Sequence, residues 1–315
     1  MNKKIKKALV TGGAGFIGSH LVDALLSDGC QVVVLDNLST GRLSNLEHIM
    51  DKISFHKGDI CDIEALDSVV IGCDVIFHQA AVVSVPQTVE DPVGSAMVNE
   101  IGTLSVLESA RKHNVKRVVL ASSSAVYGDN PDLPKHENMA VKPLSPYAVQ
   151  KLTGEYYAHL YYDLYGVETC CLRYFNVYGP RQDPTSPYSG VISIFMSKAV
   201  SQKSPVIYGD GNHCRDFIFV NDVVRSNLLA AEIDGANQEI FNIGTGKHVT
   251  IDQLWEMTCG LSGLSIKPEY QPARDGDIVE SVASINQAKK VLGFNPKYSF
   301  EEGLKLTFDW YRGKK

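Results

Sequence analysis

Ala8-Leu9-Val10-Thr11-Gly12-Gly13-Ala14-Gly15-Phe16-Ile17-Gly18 runs from a short apolar segment straight into glycine. Four apolar or β-branched residues before a glycine cluster read as a short buried strand. A helical pattern follows from about Ala14 to Ser27, with Phe16, Ile17, Leu21 and Leu25 near one stripe. Asp28-Gly29 stops it, and Gln31-Val32-Val33-Val34-Leu35-Asp36 reads as a second buried strand closing on an acid. The unit is strand, glycine turn, helix, strand.

That order has the logic of a dinucleotide site. Gly12 permits the tight turn, Gly15 lets backbone approach a pyrophosphate, and Gly18 lets the helix pack closely. The helix start then offers free N–H groups to phosphate oxygens. The spacing is Gly-x-x-Gly-x-x-Gly with an extra glycine at position 13. Asp36 can accept both hydroxyls of an adenosine ribose and would repel a 2′-phosphate, which favours NAD over NADP. Taken alone, Asp36 also fits a plain strand-end cap.

Outward from this unit the alternation continues. Ile53–Asp59 reads as a strand, Asp62–Val70 as a helix, and Val75–Ala81 as a strand running into small residues. Gly94–His113 reads as a helix, and Val115–Ala121 as a strand ending in Ser122-Ser123-Ser124. His78 reads as a strand-end residue rather than a catalyst, since no triad partner stands near it. Repeated strand–helix alternation predicts an α/β fold with a doubly wound parallel sheet, its ligands beyond the carboxyl ends of the strands.

Further on, Pro146 opens a long helix with Ser145 as its N-cap and Gly166 as its end. It carries Tyr147 and Lys151, four residues apart and so on one face. A free phenol ionises near pH ~10, and an adjacent ammonium favours the phenolate, so such a pair can serve as a general base for a hydroxyl. By itself the pair better fits a packing tyrosine beside a surface lysine, and only the surrounding motifs reverse that balance. The strand Val167–Tyr174 follows.

After it the pattern turns irregular, with more proline, glycine and short elements, as expected of a smaller mixed α/β substrate-binding lobe. Residues 189–201 read as helix, 206–211 as strand and turn, and Phe217–Val220 as strand before a helix to about Glu232. Ile240–Ile243 is apolar enough to rejoin the main sheet, Thr250 caps a helix to about Leu261, and helices fit 284–292 and 300–312. The domain reading is 1–178 for the cofactor, with a return near 222–244, and 179–221 with 245–315 for the substrate.

Composition narrows the class. The chain has 315 residues, 44% of them apolar, and a formal charge of −6, so it offers no basic field for nucleic acid. The lysines at 3, 4, 6 and 7 precede too short an apolar run for a signal peptide or membrane span. Seven cysteines, with no Cys-x-x-Cys and no zinc spacing with histidine, argue against a disulfide framework and give no metal site. Cys170-Cys171 reads as core packing within a strand. A reducing cytoplasm is the expected home.

Together these residues resemble the extended short-chain dehydrogenase/reductase family, and within it the nucleotide-sugar epimerases. The resemblance rests on Thr11–Gly18, Asp36-Asn37-Leu38, His78-Gln79-Ala80-Ala81, Ser122–Gly128, Tyr147 with Lys151, Arg173–Pro180, and Gly209-Asp210-Gly211 followed by Arg215-Asp216-Phe217. It implies a Rossmann-type fold, tightly held NAD and a homodimer. Carried over by position, it implies that Gly12, Gly15, Phe16, Ile17, Gly18, Asp36 and Asn37 hold NAD. Asp59 and Ile60 lie by the adenine, and Gln79, Ala80, Ala81, Ser122 and Tyr174 line the rest. Asn99 lies toward the nicotinamide, and Lys151 holds the nicotinamide ribose. Ser123 hydrogen-bonds the reacting hydroxyl with help from Ser124, and Tyr147 is the acid/base. For a UDP-sugar, Asn176, Arg215 and Arg274 hold the UDP part, Asp277 contacts the uridine ribose, and Ser84, Val85, Val191 and Tyr208 complete the substrate set.

The family's opening step oxidises the sugar's C4 hydroxyl to a ketone, with Tyr147 taking the proton. Relatives that then eliminate or decarboxylate carry an acid after the Ser123 position, whereas here Ser124 and Ala125 follow. Return of hydride to the other face, C4 epimerisation, is the simplest completion. Ser281 aligns beside the sugar's 2-substituent, where a small residue leaves room for an acetamido group. Arg181-Gln182-Asp183-Pro184 and Ser84-Val85-Pro86 also resemble epimerases of UDP-GlcNAc and UDP-GalNAc. The expectation is therefore UDP-GlcNAc/UDP-GalNAc interconversion with possible UDP-Glc/UDP-Gal activity. UDP-glucose or UDP-glucuronate epimerisation, a nucleotide-sugar reductase and a dinucleotide sensor are the alternatives.

Overall fold

A computed structural model describes residues 4–184, 190–273 and 280–313. Apolar runs, buried on both faces in all but the partly exposed edge strand β3, make the strands of the sheet: β1 (Lys7–Thr11), β2 (Gln31–Asp36), β3 (Ile53–Lys57), β4 (Val75–His78), β5 (Arg117–Ser123) and β6 (Glu168–Tyr174). Among the described residues they form one parallel sheet with β11 (Glu239–Ile243), in the order β11-β6-β5-β4-β1-β2-β3. The strand order reverses between β1 and β4, which is where ligands bind in such sheets. The Ile240–Ile243 run rejoins the sheet as expected, as a full neighbour of β6.

Successive side chains point to opposite faces, and two cores result. Val32 and Val34 pack with Leu21 and Leu25 of α1 (Phe16–Ser27), while Val33 and Leu35 pack with Leu66 of α2 (Ile63–Val70). Cys170 and Cys171 divide the same way, both buried. On the second face lie α3 (Val85–Glu90), α4 (Pro92–Ala96), α5 (Gly102–Lys112) and α6 (Pro146–Tyr165). In α6, Ser145 Oγ accepts from Ala148 N at 3.2 Å, and Gly166 ends the helix at φ 70°. The sequence placed both ends correctly.

The second lobe gathers β7 (Asn176–Tyr178), α7 (Val191–Val200), β8 (Val206–Tyr208), β9 (Cys214–Arg215), β10 (Phe217–Phe219) and α8 (Val220–Glu232), which returns to the main sheet. Then follow β12 (Val249–Thr250), α9 (Ile251–Ser262), β13 (Glu269–Gln271), β14 (Glu280–Ser281) and α10 (Phe300–Gly313). Its core is aromatic, with Phe195, Trp255, Phe308 and Tyr311 among the buried side chains. Thr250 and Gln253 form a capping box at the start of α9.

Several boundaries differ from the sequence reading. The expected strand to Ala81 stops at His78, because β1 ends opposite it. Beyond that point Gln79 N donates to Thr11 O at 3.1 Å and Ala80 N to Thr11 Oγ1 at 3.3 Å, and the chain turns away. Likewise β3 ends at Lys57, where its partner Asp36 ends β2. The expected helix over 94–113 is α4 and α5 joined by a π turn at Met97–Ile101. Side-chain periodicity carries no mark of that extra residue. The helix expected over 284–292 includes a π turn at Ala288–Leu292, and α3 was not expected.

Candidate active site

The turn between β1 and α1 is built by absence of side chains. Gly12 adopts φ 68°, and a Cβ there would meet Ala80 N at 2.7 Å. A Cβ on Gly18 would meet Gly12 O at 2.2 Å, so the helix reaches the turn only as glycine. Gly15 is the N-cap of α1 and makes no side-chain cap, which leaves the N–H groups of Phe16, Ile17 and Gly18 aimed past the turn. This is a cradle for an anionic group, and it fits a dinucleotide pyrophosphate.

At the end of β2, Asp36 accepts from Ala14 N at 2.9 Å and Leu38 N at 2.8 Å. Burial pushes its carboxyl up, and these two bonds oppose the shift. Asp36 therefore is a strand-end cap, and each oxygen still has a lone pair for a ribose hydroxyl. Asn37 donates to Asp59 at 2.8 Å. Burial works to raise the Asp59 carboxyl, but bonds from Cys61 N and Asn37 outweigh it and leave it below the usual range. Ile60 is buried beside them.

Gln79 Nε2 donates to Tyr174 Oη and Asn227 Oδ1, both at 3.1 Å, so the ends of β4 and β6 are tied together. Asn99 is wholly committed. Its Oδ1 accepts from Val82 N at 2.8 Å, and its Nδ2 donates to Val82 O at 2.9 Å and Gln150 Oε1 at 2.7 Å. It fixes the loop after Ala81, and the π turn is what places it there. His78 is buried between Thr11 Oγ1 at 2.8 Å and Thr103 Oγ1 at 2.9 Å. Thr103 donates to Asn99 O, so the network assigns the His78 proton to Nε2. Burial, reinforced by nearby Lys151, lowers its pKa to about 3. It is a neutral structural residue, as the sequence suggested.

Tyr147, Ser123 and Lys151 meet at the ends of β5 and α6. The Tyr147 phenol neighbours Ser123, and its backbone N–H donates to Thr88 Oγ1 at 3.2 Å. Thr88 was not expected here. Ser123 Oγ also accepts from Ala125 N at 3.2 Å, and Ser124 opens the short 3-10 helix that follows. Lys151 Nζ donates to Ala121 O at 2.8 Å and lies 5.8 Å from the Tyr147 ring centre. Burial lowers the lysine to about 8, with Cys171 and Glu155 working in the opposite direction. Burial also pushes the Tyr147 phenol up, while the neighbouring Ser123 hydroxyl pulls it down. Ser122 turns inward, its hydroxyl donating to Glu155 Oε1 at 2.5 Å. Glu155 is thus a carboxylate close to the centre that a search after Ser123 did not find. It stands one turn beyond Lys151 and is neutralised by Arg173.

Across the sheet edge, Asn176, Val191, Tyr208 and Arg215 line one cavity of about 240 Å³ with His213 and Ile251. Four expected substrate residues thereby meet in one place, whereas His213 and Ile251 carried no signal of their own. Ser281 lies beside Arg215 in register on β14. Asp216 organises this region. Its carboxylate accepts from Thr245 N and Oγ1, Gly246 N and Ala283 N, and its carbonyl accepts from both Asn176 nitrogens at 3.1 Å. Ser84 caps α3, accepting from Gln87 N at 3.2 Å, and Val85 is exposed. Arg274 and Asp277 lie outside the described residues. In the Arg181–Pro184 run, Arg181 pairs with Asp23 of α1 at 2.8 Å and Asp183 pairs with Arg42. These charges tie the run to the first lobe through α1 and the segment after β2.

A parallel sheet with this turn and this tyrosine–serine–lysine group defines a dinucleotide-dependent enzyme of the short-chain dehydrogenase/reductase class. The chain belongs to the NAD dependent epimerase/dehydratase family, whose model matches residues 8–244, and NAD is its cofactor. It is 42% identical over 312 residues to a UDP-glucose 4-epimerase of Mycolicibacterium smegmatis, covering 98% of this chain and 99% of the relative. Its fold matches the UDP-glucose 4-epimerase of Thermotoga maritima, solved with UDP-glucose, at a TM-score of 0.94 and 41% identity, covering 98% and 99% of the two chains. It matches the UDP-N-acetylglucosamine 4-epimerase of Methanobrevibacter ruminantium, in complex with UDP-N-acetylmuramic acid, at 0.95 and 40%, covering 99% and 100%.

Proposed function

We propose that this chain epimerises UDP-sugars at C4 through a 4-keto intermediate, interconverting UDP-GlcNAc and UDP-GalNAc and also accepting UDP-glucose and UDP-galactose. The observation that carries this reading is the meeting of Tyr147, Ser123 and Lys151 opposite the cavity of Asn176 and Arg215. Bound NAD supplies the acceptor and donor of hydride at C4. Tyr147 takes the C4 hydroxyl proton and later returns it, and Ser123 orients the hydroxyl. The Lys151 ammonium stabilises the phenolate and holds the nicotinamide ribose. Arg215 and Asn176 bind the UDP part, joined by Arg274 and Asp277, since an arginine fork matches diphosphate oxygens. Glu155, held by Arg173, is not free to act on C5 or C6, which favours epimerisation over elimination.

The choice of acetylated sugar rests on Ser281, whose small side chain stands beside Arg215. The division of the chain into cofactor residues 1–178, with a return near 222–244, and substrate residues 179–221 and 245–315 belongs to the same proposal. So do a cytoplasmic home, in keeping with seven free cysteines, and a homodimer. Val149, Tyr156, Leu160 and Leu164 form an exposed stripe on α6, with Met97 and Ile101 exposed on the neighbouring helical segment. Among the described residues no helix is long and apolar enough to cross a membrane.

The test is incubation of the purified protein with UDP-GlcNAc, without added cofactor, and separation of the products. UDP-GalNAc at equilibrium is the expected result. Conversion of UDP-galactose or UDP-glucuronate alone would keep the chemistry and overturn the substrate. Steady NAD(H) turnover instead would favour a reductase.

A further inference from the structure

The three-stranded sheet β12-β9-β14 brings together a thiol, an imidazole and a carboxylate from three separate segments. Cys214 is in direct register with Glu280 on one side and Thr250 on the other. Residues opposite one another share a face, and a residue two along the partner strand is the diagonal neighbour on that face. His248 is that neighbour of Cys214. The Cys214 Sγ, a His248 ring nitrogen and a Glu280 oxygen all lie within 4.8 Å of one another. Tetrahedral zinc, with bonds of about 2.0–2.3 Å, needs its ligands roughly 3.3–3.7 Å apart, a closure within reach of side-chain rotation.

The ligand atoms are available. Among the described residues the His248 ring and the Glu280 carboxylate make no hydrogen bond, and Cys214 makes one weak contact, 3.4 Å to Asn212 O. Half-buried Cys214 sits at the centre, with His248 and Glu280 exposed beside it, so an ion can enter from solvent. One sulfur, one nitrogen and one oxygen donor suit Zn2+. Ca2+ and Mg2+ prefer oxygen alone.

We infer that Cys214, His248 and Glu280 form a binding site for a single Zn2+ ion on the outer face of this sheet. Neighbouring residues of each strand point the other way. There Arg215 lines the cavity, with Ser281 beside it in register. An ion bound outside therefore clamps the three strands that carry those residues. Only the effect of this clamp on UDP-sugar binding rests on the proposed function; the site itself does not.

The test uses the full chain, stripped of metal by chelation and free of substrate, so failure of the epimerase reading would not affect it. Calorimetric titration with Zn2+ should give one ion per chain. Cys214→Ser and His248→Ala should each weaken that binding at least about tenfold, since each removes one of three ligands. Cd2+ should produce a thiolate charge-transfer band in the ultraviolet that is lost in Cys214→Ser and kept in Cys61→Ser, where another exposed thiol is removed. Zn2+ should raise the Tm of the parent and not of His248→Ala. Binding by both single variants equal to that of the parent would overturn the site, as would a Cd2+ band surviving in Cys214→Ser.

Discussion

Glu155 and Arg173 form a bidentate pair, Oε1 to Nε at 2.9 Å and Oε2 to Nη2 at 2.7 Å, buried one turn of α6 beyond Lys151. Arg173 continues to Tyr127 Oη at 2.9 Å, and Tyr127 donates to Asn242 Oδ1 at 2.7 Å. The chain of contacts links α6, β6 and β11 through one charge pair. Breaking one partner leaves the other charge buried, at a cost of about 3–5 kcal/mol. Glu155→Gln should therefore lower the urea unfolding midpoint sharply. The double variant Glu155→Leu, Arg173→Met should recover much of that loss. A double variant no more stable than the single one would assign the loss to packing instead.

Tyr147→Phe removes the phenol proposed to move the proton and keeps the ring. Turnover should fall by about 10²–10⁴, the usual contribution of a positioned acid/base. NAD content and UDP-sugar KM should change little, because the remaining contacts are intact. Near-parental turnover in this variant would remove Tyr147 from the chemistry.

Lys151 carries a conflict between function and stability. Its folded pKa is about 8 against an ordinary value of 10.5, so below pH 8 the buried ammonium costs on the order of 3 kcal/mol. Between those values the unfolded chain holds a proton that the folded chain has released, and stability rises with pH. Lys151→Met should thus raise the Tm of cofactor-free protein at pH 7 while abolishing turnover. Its advantage should shrink as the pH climbs from 8 toward 10.5. A Tm difference that stayed flat over that range would mean the ammonium is better solvated than its burial implies.

Ser281→Tyr should depress turnover of UDP-GlcNAc far more than that of UDP-galactose, because a ring beside Arg215 would fill the space proposed for an acetamido group. Product analysis with both sugars under identical conditions measures the ratio. Equal losses would make Ser281 a general contact and return substrate choice to other residues.

Local signals made half of this protein legible from its sequence. Gly12 and Gly18 are needed where a Cβ would strike backbone, Ser145 and Gly166 cap a helix, and the strands β1 and β2 are runs of apolar residues. Each of these is a property of a few neighbouring residues, so the glycine turn, Asp36 and the Tyr147–Lys151 face were all readable. Tertiary structure decided what depends on residues far apart in the chain. His78 became a neutral bridge between two threonines, Arg181 and Asp183 became ties to the first lobe, and Glu155 took its place behind Ser122. The cavity of Asn176 and Arg215, and the trio of Cys214, His248 and Glu280, exist only once separate strands pair in register. No periodicity along the chain encodes that pairing, because it is set by which surfaces bury one another.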